Sequence, residues 1–252
     1  MGFMDKLKGM LGGSSIGSST PISPDEYTSN GNVDLVKKIN LHKQNVAVVL
    51  EKRGLAGKRV RVKFAIDQSG SMDRLYRDNT VQDTVERLYA AASKMDDDGD
   101  LELWSFNSGV SRKPSVSMAN VEGYVSKNIY CMGGTNYAPA MTEIIKDCDD
   151  DNSDAPALVI FITDGDNSDH AATENVVKSA SGKPIFWQFV GIGSASFSFL
   201  EKLDNMSGRV VDNANFFELN DLSKIGDEEL YQRLLGEFPD WIKAATAKGI
   251  LK

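Results

Sequence analysis

Three runs of this chain read as strands that enter a core: VRVKFAID (60–67), PALVIFITD (156–164) and PIFWQFVGIG (184–193). The first alternates through Val60, Val62, Phe64 and Ile66 before turning apolar on both sides, and the other two are almost wholly apolar. Such strands need cover above and below, which is the mark of a mostly parallel sheet clad in helices. Helical periodicity fills the intervals: Val33 to Arg53, stopped by Gly54; Thr80 to Met95; and a segment from near Tyr137 through MTEIIKDC. This alternation predicts an α/β domain. DLELWSF (100–106) and GVSRKPSV (109–116), separated by Asn107-Ser108-Gly109, predict a hairpin. RVVDN (209–213) with FFELN (216–220) supplies a short last strand, and Leu222 to Gly249 reads as helix broken near Pro239.

Composition removes several functions. The net charge is −8 and no Lys/Arg block stands out, so a nucleic-acid groove is not expected. The two cysteines, Cys131 and Cys148, and two histidines, His42 and His170, show no CxxC or HxxxH spacing, which argues against a thiolate or imidazole zinc site. Two reduced thiols in a cytoplasmic protein are expected. No apolar run approaches the ~20 residues that cross a bilayer. At the N-terminus Phe3, Met4, Leu7, Met10 and Leu11 fall at helical spacing ahead of a Gly/Ser stretch, Gly12 to Thr20. Residues 1–22 therefore read as a flexible segment with a short amphipathic helix, and 23–252 as one domain. Residues 3–11 could touch a membrane surface as a scaffold anchor; a frayed terminus explains them with less. The run DCDDDNSD (147–154) reads as a solvated loop and lacks the EF-hand glycine and glutamate.

Three loops concentrate oxygen-bearing side chains: DQSGS (67–71), GGTNY (133–137) and TDGD (163–166). In parallel α/β sheets, ligands lie beyond the carboxyl ends of the strands, near the point where strand order reverses. Asp67 and Asp164 each stand at such an end. A hard divalent cation such as Mg²⁺ takes oxygen ligands and keeps positions for water. Asp67 and Asp164 bring two negative charges, while Ser69, Ser71 and Thr135 add neutral oxygens, which leaves the ion electrophilic.

DxSxS after a strand, a GGT loop and a TDG after the next apolar strand resemble, in that order, the von Willebrand factor type A (vWA) domain and its metal-ion-dependent adhesion site. The resemblance covers roughly residues 60–220. It implies a Rossmann-like, doubly wound, mostly parallel central sheet with one short antiparallel edge strand, and helices on both faces. It implies direct ligation by Ser69, Ser71 and Thr135, with Asp67 and Asp164 acting largely through water, and a Mg²⁺, Mn²⁺ or Ca²⁺ ion. SGSM, GGTNYAPAM, FITDGDN and the EFPDWI…GIL tail look like the vWA domains of bacterial tellurium-resistance and chemical-stress operons. That implies a cytoplasmic, non-enzymatic protein–protein interaction module whose partner offers an Asp or Glu carboxylate.

Other readings meet obstacles. An aspartate at a strand end could accept a phosphoryl group, as in haloacid-dehalogenase-like phosphatases, but their second aspartate is Ser69 here. A serine hydrolase needs a histidine base, and His170, in an exposed stretch without an evident partner, reads as solvated. No GxxxxGK[ST] loop occurs. Asp73 and Asp166 read as caps or solvated acids, Trp104, Trp187 and Phe189 as core, and Cys131 as an unactivated thiol. A helix beginning just after Ser71 would aim its positive end at the site.

Overall fold

The computed structural model describes residues 33–96, 98–151 and 153–252. The expected N-terminal segment 1–22, its helix at 3–11 and a domain start at 23 lie outside the described residues. In chain order the elements are α1 (Val33–Lys52), β1 (Arg61–Asp67), α2 (Asp73–Arg77), α3 (Thr80–Met95), β2 (Glu102–Phe106), β3 (Val110–Arg112), α4 (Tyr124–Asn128) and α5 (Ala138–Asp150). They continue with β4 (Ala157–Thr163), α6 (His170–Ala180), β5 (Ile185–Ile192), α7 (Ser198–Asp204), β6 (Ala214–Leu219), α8 (Asp227–Leu234) and α9 (Phe238–Ala247). No described helix is long and apolar enough to cross a membrane.

The six strands form one sheet in the order β3-β2-β1-β4-β5-β6. All neighbours pair parallel except β2 and β3, whose antiparallel hairpin turns at Asn107–Gly109 as expected. The chain runs from β1 outward to β2, then returns to β4 on the other side of β1, so strand order reverses between β1 and β4.

Alternate residues of the central strands face opposite layers. Phe64, Ile66, Ile160, Ile162, Phe186 and Val190 join a core with α1, α3, α4, α8 and α9. Ala65, Val159, Phe161, Trp187 and Phe189 join a second core with α5, α6 and α7. Each large apolar side chain buried this way contributes about 1.5–3 kcal/mol, so both helical layers are held chiefly by the sheet they cover.

Two expectations need correction. The acidic run begins inside helix, because α5 continues to Asp150. Asp147 is held there by the fully buried Lys63 of β1, at 2.7 Å, and by Arg112 of β3. Glu102 pairs with the same two cations, and the Trp104 ring lies between them, 5.4 Å from Lys63 Nζ and 5.1 Å from the Arg112 guanidinium. The last strand is Ala214–Leu219 alone, and 209–213 precede it. The helix break expected near Pro239 is present: α8 ends at Leu234 and α9 begins at Phe238, with Pro239 in its first turn, where the missing N–H is harmless.

Candidate metal centre

Asp67 ends β1 fully buried. Its Oδ1 accepts the Ser69 N–H at 2.7 Å, a local turn that aspartate favours, and its Oδ2 accepts the Thr163 hydroxyl of β4 at 2.7 Å. Burial pushes this carboxyl above its ordinary range; the bonds from Thr163 and Ser69 oppose the shift, and the Asp164 charge adds to it. Ser69, itself buried, leads into a 3-10 turn, Gly70–Met72. Its Oγ lies 3.1 Å from Ser71 Oγ, and the Ser71 hydroxyl donates to Asp164 Oδ1 at 2.8 Å. Asp164, half-buried just past β4, also has its carboxyl raised by burial, with the Ser71 bond opposing. The helix expected after Ser71 is only that turn and the five-residue α2, so its dipole is small.

The second loop is laced to the first and third. Met132 N–H donates to Gln68 O at 2.8 Å and Gly70 N–H to Gly133 O at 3.2 Å, while Gly133 holds φ +78°, a conformation natural to glycine. Ser168 N–H donates to Thr135 O at 3.0 Å. All five residues singled out from the sequence, Asp67, Ser69, Ser71, Thr135 and Asp164, therefore lie on three interlaced loops at the point of strand reversal.

Sequence reasoning missed the residues that set these loops. Asp169 accepts the Tyr137 and Ala138 N–H groups at 3.0 and 2.9 Å, capping α5 from a distance. The Tyr137 hydroxyl donates to Gly165 O at 2.6 Å, and Tyr76 donates to Asp67 O at 2.8 Å. The Asn107 side-chain amide holds Met132 O at 3.0 Å. No local spacing announces such contacts, because each joins different loops.

His170 is exposed, as expected, but not without a partner. Its Nε2 lies 2.7 Å from Asp166 Oδ1, and its ring stacks on Phe199 at 3.8 Å and 6°. As the first residue of α6 it stands four residues after Asp166, within reach of α7. Asp73 begins α2 and pairs with Arg77 at 2.7 Å. Both cysteines are free, and burial, with Asp73, Asp67 and Asp164 nearby, pushes the Cys131 thiol up to about 11. That thiol is unreactive at neutral pH.

The oxygen spacings fit a small hard cation. Octahedral ligands 2.0–2.1 Å from Mg²⁺ stand about 3.0 Å apart along each edge. The Ser69 Oγ–Ser71 Oγ separation is 3.1 Å, close to such an edge, and the hydrogen bond from Ser71 to Asp164 at 2.8 Å fits a carboxylate that holds a ligand from behind. Two neighbouring carboxyls, both raised by burial, gain most from a cation between them. Among the described residues no group of three or more His, Cys, Asp or Glu side chains gathers to hold a metal, so this centre depends on its hydroxyls.

Residues 59–251 match the family described as the vWA domain found in the TerF C terminus. The chain belongs to that family. This TerF-type vWA chain is 40% identical over 221 residues to YcbR of Bacillus subtilis, described as uncharacterized, spanning 85% of this chain and 90% of YcbR. Among solved structures it resembles a von Willebrand factor type A protein from Catenulispora acidiphila, with TM-score 0.54 and 18% identity, over 71% of this chain and 42% of that one. It also resembles the manganese-loaded TRAP protein of Plasmodium vivax, with TM-score 0.52 and 16% identity, over 72% of this chain and 74% of that one. At such identities these structures establish the fold: the Rossmann-like vWA sheet with its single antiparallel strand.

Proposed function

We propose that this vWA domain is a metal-dependent protein–protein interaction module that binds an acidic group of a partner through a divalent cation. The observation that carries the reading is the run of oxygens from Ser69 Oγ to Ser71 Oγ to Asp164 Oδ1, spaced 3.1 and 2.8 Å. Ser69, Ser71 and Thr135 would hold the ion directly, with Asp67 and Asp164 behind them through water. The 3.1 Å spacing of Ser69 and Ser71 is nearer to the edge of a Mg²⁺ or Mn²⁺ site than to that of the larger Ca²⁺, whose ligands stand further off. A bound ion supplies positive charge that recruits a carboxylate. The chain's own part is to fix the oxygens and keep Asp67 dry. TRAP, which shares the fold, was solved with manganese, and that likeness supports the same class of ion here.

The donor set supports binding over catalysis. Hydroxyls that ligate or hydrogen-bond carboxylates are positioned to hold an ion, and a phosphoryl-transfer reading still lacks its second aspartate at Ser69. The family's TerF label supports placing the module in a bacterial tellurium or chemical-stress system, acting in the cytoplasm.

Titration of Mg²⁺ into the EDTA-stripped full chain by calorimetry tests the reading. One site is expected, absent in Ser69→Ala/Ser71→Ala. Equal affinity in that variant would overturn the assignment, as would partner capture that is indifferent to EDTA.

A further inference from the structure

Beside the metal loops the chain leaves two large apolar side chains in water. Tyr130 is 67% exposed and Met132 62% exposed, on the segment that runs into Gly133-Gly134-Thr135. Ile129 begins this segment in extended backbone, φ −129° and ψ 134°. Ile129 is buried and Cys131 packs against the same core, so Tyr130 and Met132 share the outward face. The ridge is fixed: Met132 N–H is held by Gln68 O at 2.8 Å and Met132 O by the Asn107 amide at 3.0 Å. A rigid backbone that holds uncovered Tyr and Met side chains has the composition of an interface core.

Behind the ridge lies a groove of about 340 Å³, whose apolar wall includes Tyr76, Val125, Ile129, Tyr130 and Cys131 and whose rim carries the Asp73–Arg77 ion pair. Tyr76 ties its wall to the metal loop through the bond to Asp67 O. The adjoining α2 presents two arginines, Arg74 and Arg77, one turn apart. Arg77 is matched by Asp73, and Arg74 adds exposed positive charge on α2, three residues after Ser71, on a chain of net charge −8.

We propose that the Tyr130–Met132 ridge and this groove form the apolar half of the docking surface, and that its occupant is an extended acidic–apolar segment of a partner protein. One carboxylate sits at the cation, a large apolar side chain packs over Met132 and Tyr130 into the groove, and a further acidic residue faces Arg74. In a two-fold pair of this chain the same positive charges would meet each other across the contact, whereas an acidic partner segment complements them. The carboxylate contact rests on the cation reading above, whereas the apolar contact does not.

The probe is a random dodecapeptide library displayed on phage, selected on the full chain in Mg²⁺. Enriched peptides are expected to carry Asp or Glu with Trp, Phe, Leu or Met within about three positions, the reach of a short extended strand. A synthetic consensus peptide should bind Tyr130→Ser/Met132→Ser about tenfold or more weakly than the parent chain. Selection on that variant should keep the acid and lose the apolar residue. Both positions are exposed, so the variant's melting temperature should match the parent's. Enrichment of acids without an apolar preference, or unchanged affinity in the double variant, overturns the proposal. So does a dimer in sedimentation equilibrium that the double variant abolishes, since the ridge would then meet its own copy. A flat Mg²⁺ titration, with apolar peptides still selected in EDTA and lost in the variant, would reject the cation reading alone and leave the ridge standing.

Discussion

The Thr163 hydroxyl donates to Asp67 Oδ2 at 2.7 Å, across the junction of the two central strands. Asp67 is fully buried, so this bond and the one from Ser69 N–H are its replacements for water. Thr163→Val keeps shape and strand preference and removes the donor. Urea unfolding in EDTA should show a loss of about 1–3 kcal/mol, the cost of one buried unsatisfied acceptor. Calorimetry should show weaker Mg²⁺ binding, because the aspartate loses its orientation. Unchanged values in both would mean that the bond contributes nothing net.

Asp67→Asn separates charge from shape. The folded-state carboxyl is raised, so the folded chain holds that proton more tightly than the unfolded chain does. Stability from this group is therefore present at acid pH and lost as pH rises above the ordinary carboxylate range. Asp164 shifts in the same direction. In EDTA the Asn variant should melt above the parent at pH 8 and converge with it near pH 4. Thr163 can turn its hydroxyl to accept from the new amide. With saturating Mg²⁺ the order should reverse, since only the parent gains from the ion. A variant stabilised by Mg²⁺ as much as the parent would place the ion elsewhere.

Asp169 is a positioning residue, acting on Thr135 through the start of α5. Asp169→Ala frees the Tyr137 and Ala138 N–H groups, at about 1–2 kcal/mol, the usual cost of a lost cap. Amide exchange across residues 133–138 should quicken, and Mg²⁺ affinity should fall without loss of any direct ligand. Exchange confined to its parental rate would show that the loop holds itself.

The strands were legible because burial on both faces leaves few polar residues to confuse the pattern, and Thr80–Met95 emerged with its observed bounds because one stripe of that helix is apolar. The three loops that meet at the strand reversal stood out in the sequence because small hydroxyls and acids cluster at strand ends. Lys63 was not: a lysine in an alternating run reads as facing water, yet its charge is met by Glu102 and Asp147, the latter from a helix 84 residues on. Asp147 and Asp169 were misread or overlooked for the same reason. Their partners are distant in sequence, and an isolated aspartate in a polar run looks the same whether it caps, pairs or is solvated.

Asp204, at the end of α7, gives a test far from the metal loops. Burial, with Glu237 and Asp212 nearby, pushes its carboxyl up to about 6, against the pull of Arg209 and the Phe216 N–H. The raised value means that stability is lost as pH rises from about 4 to about 6 and stays lost above. Asp204→Asn should raise the melting temperature at pH 7.5 and leave it unchanged at pH 4. Half of the group is exposed, so solvent screening limits the gain to about 1 kcal/mol or less. A larger gain at pH 4 than at pH 7.5 would invert the assigned sign.

The lacing of the three loops has a consequence for how the protein is made. Ser71 meets Asp164 across 93 positions and Asp67 meets Thr163 across 96, with β4 seated directly against β1. A nascent chain halted before β4 carries Asp67, Ser69, Ser71 and Thr135 but lacks Asp164, the Thr163 hydroxyl and the strand that aims them. A cation at the proposed centre would find its full set of oxygens only after β4 has left the ribosome and closed on β1. Occupancy of that centre would then report that these two strands have joined, and fragments released before β4 would lack the assembled surface.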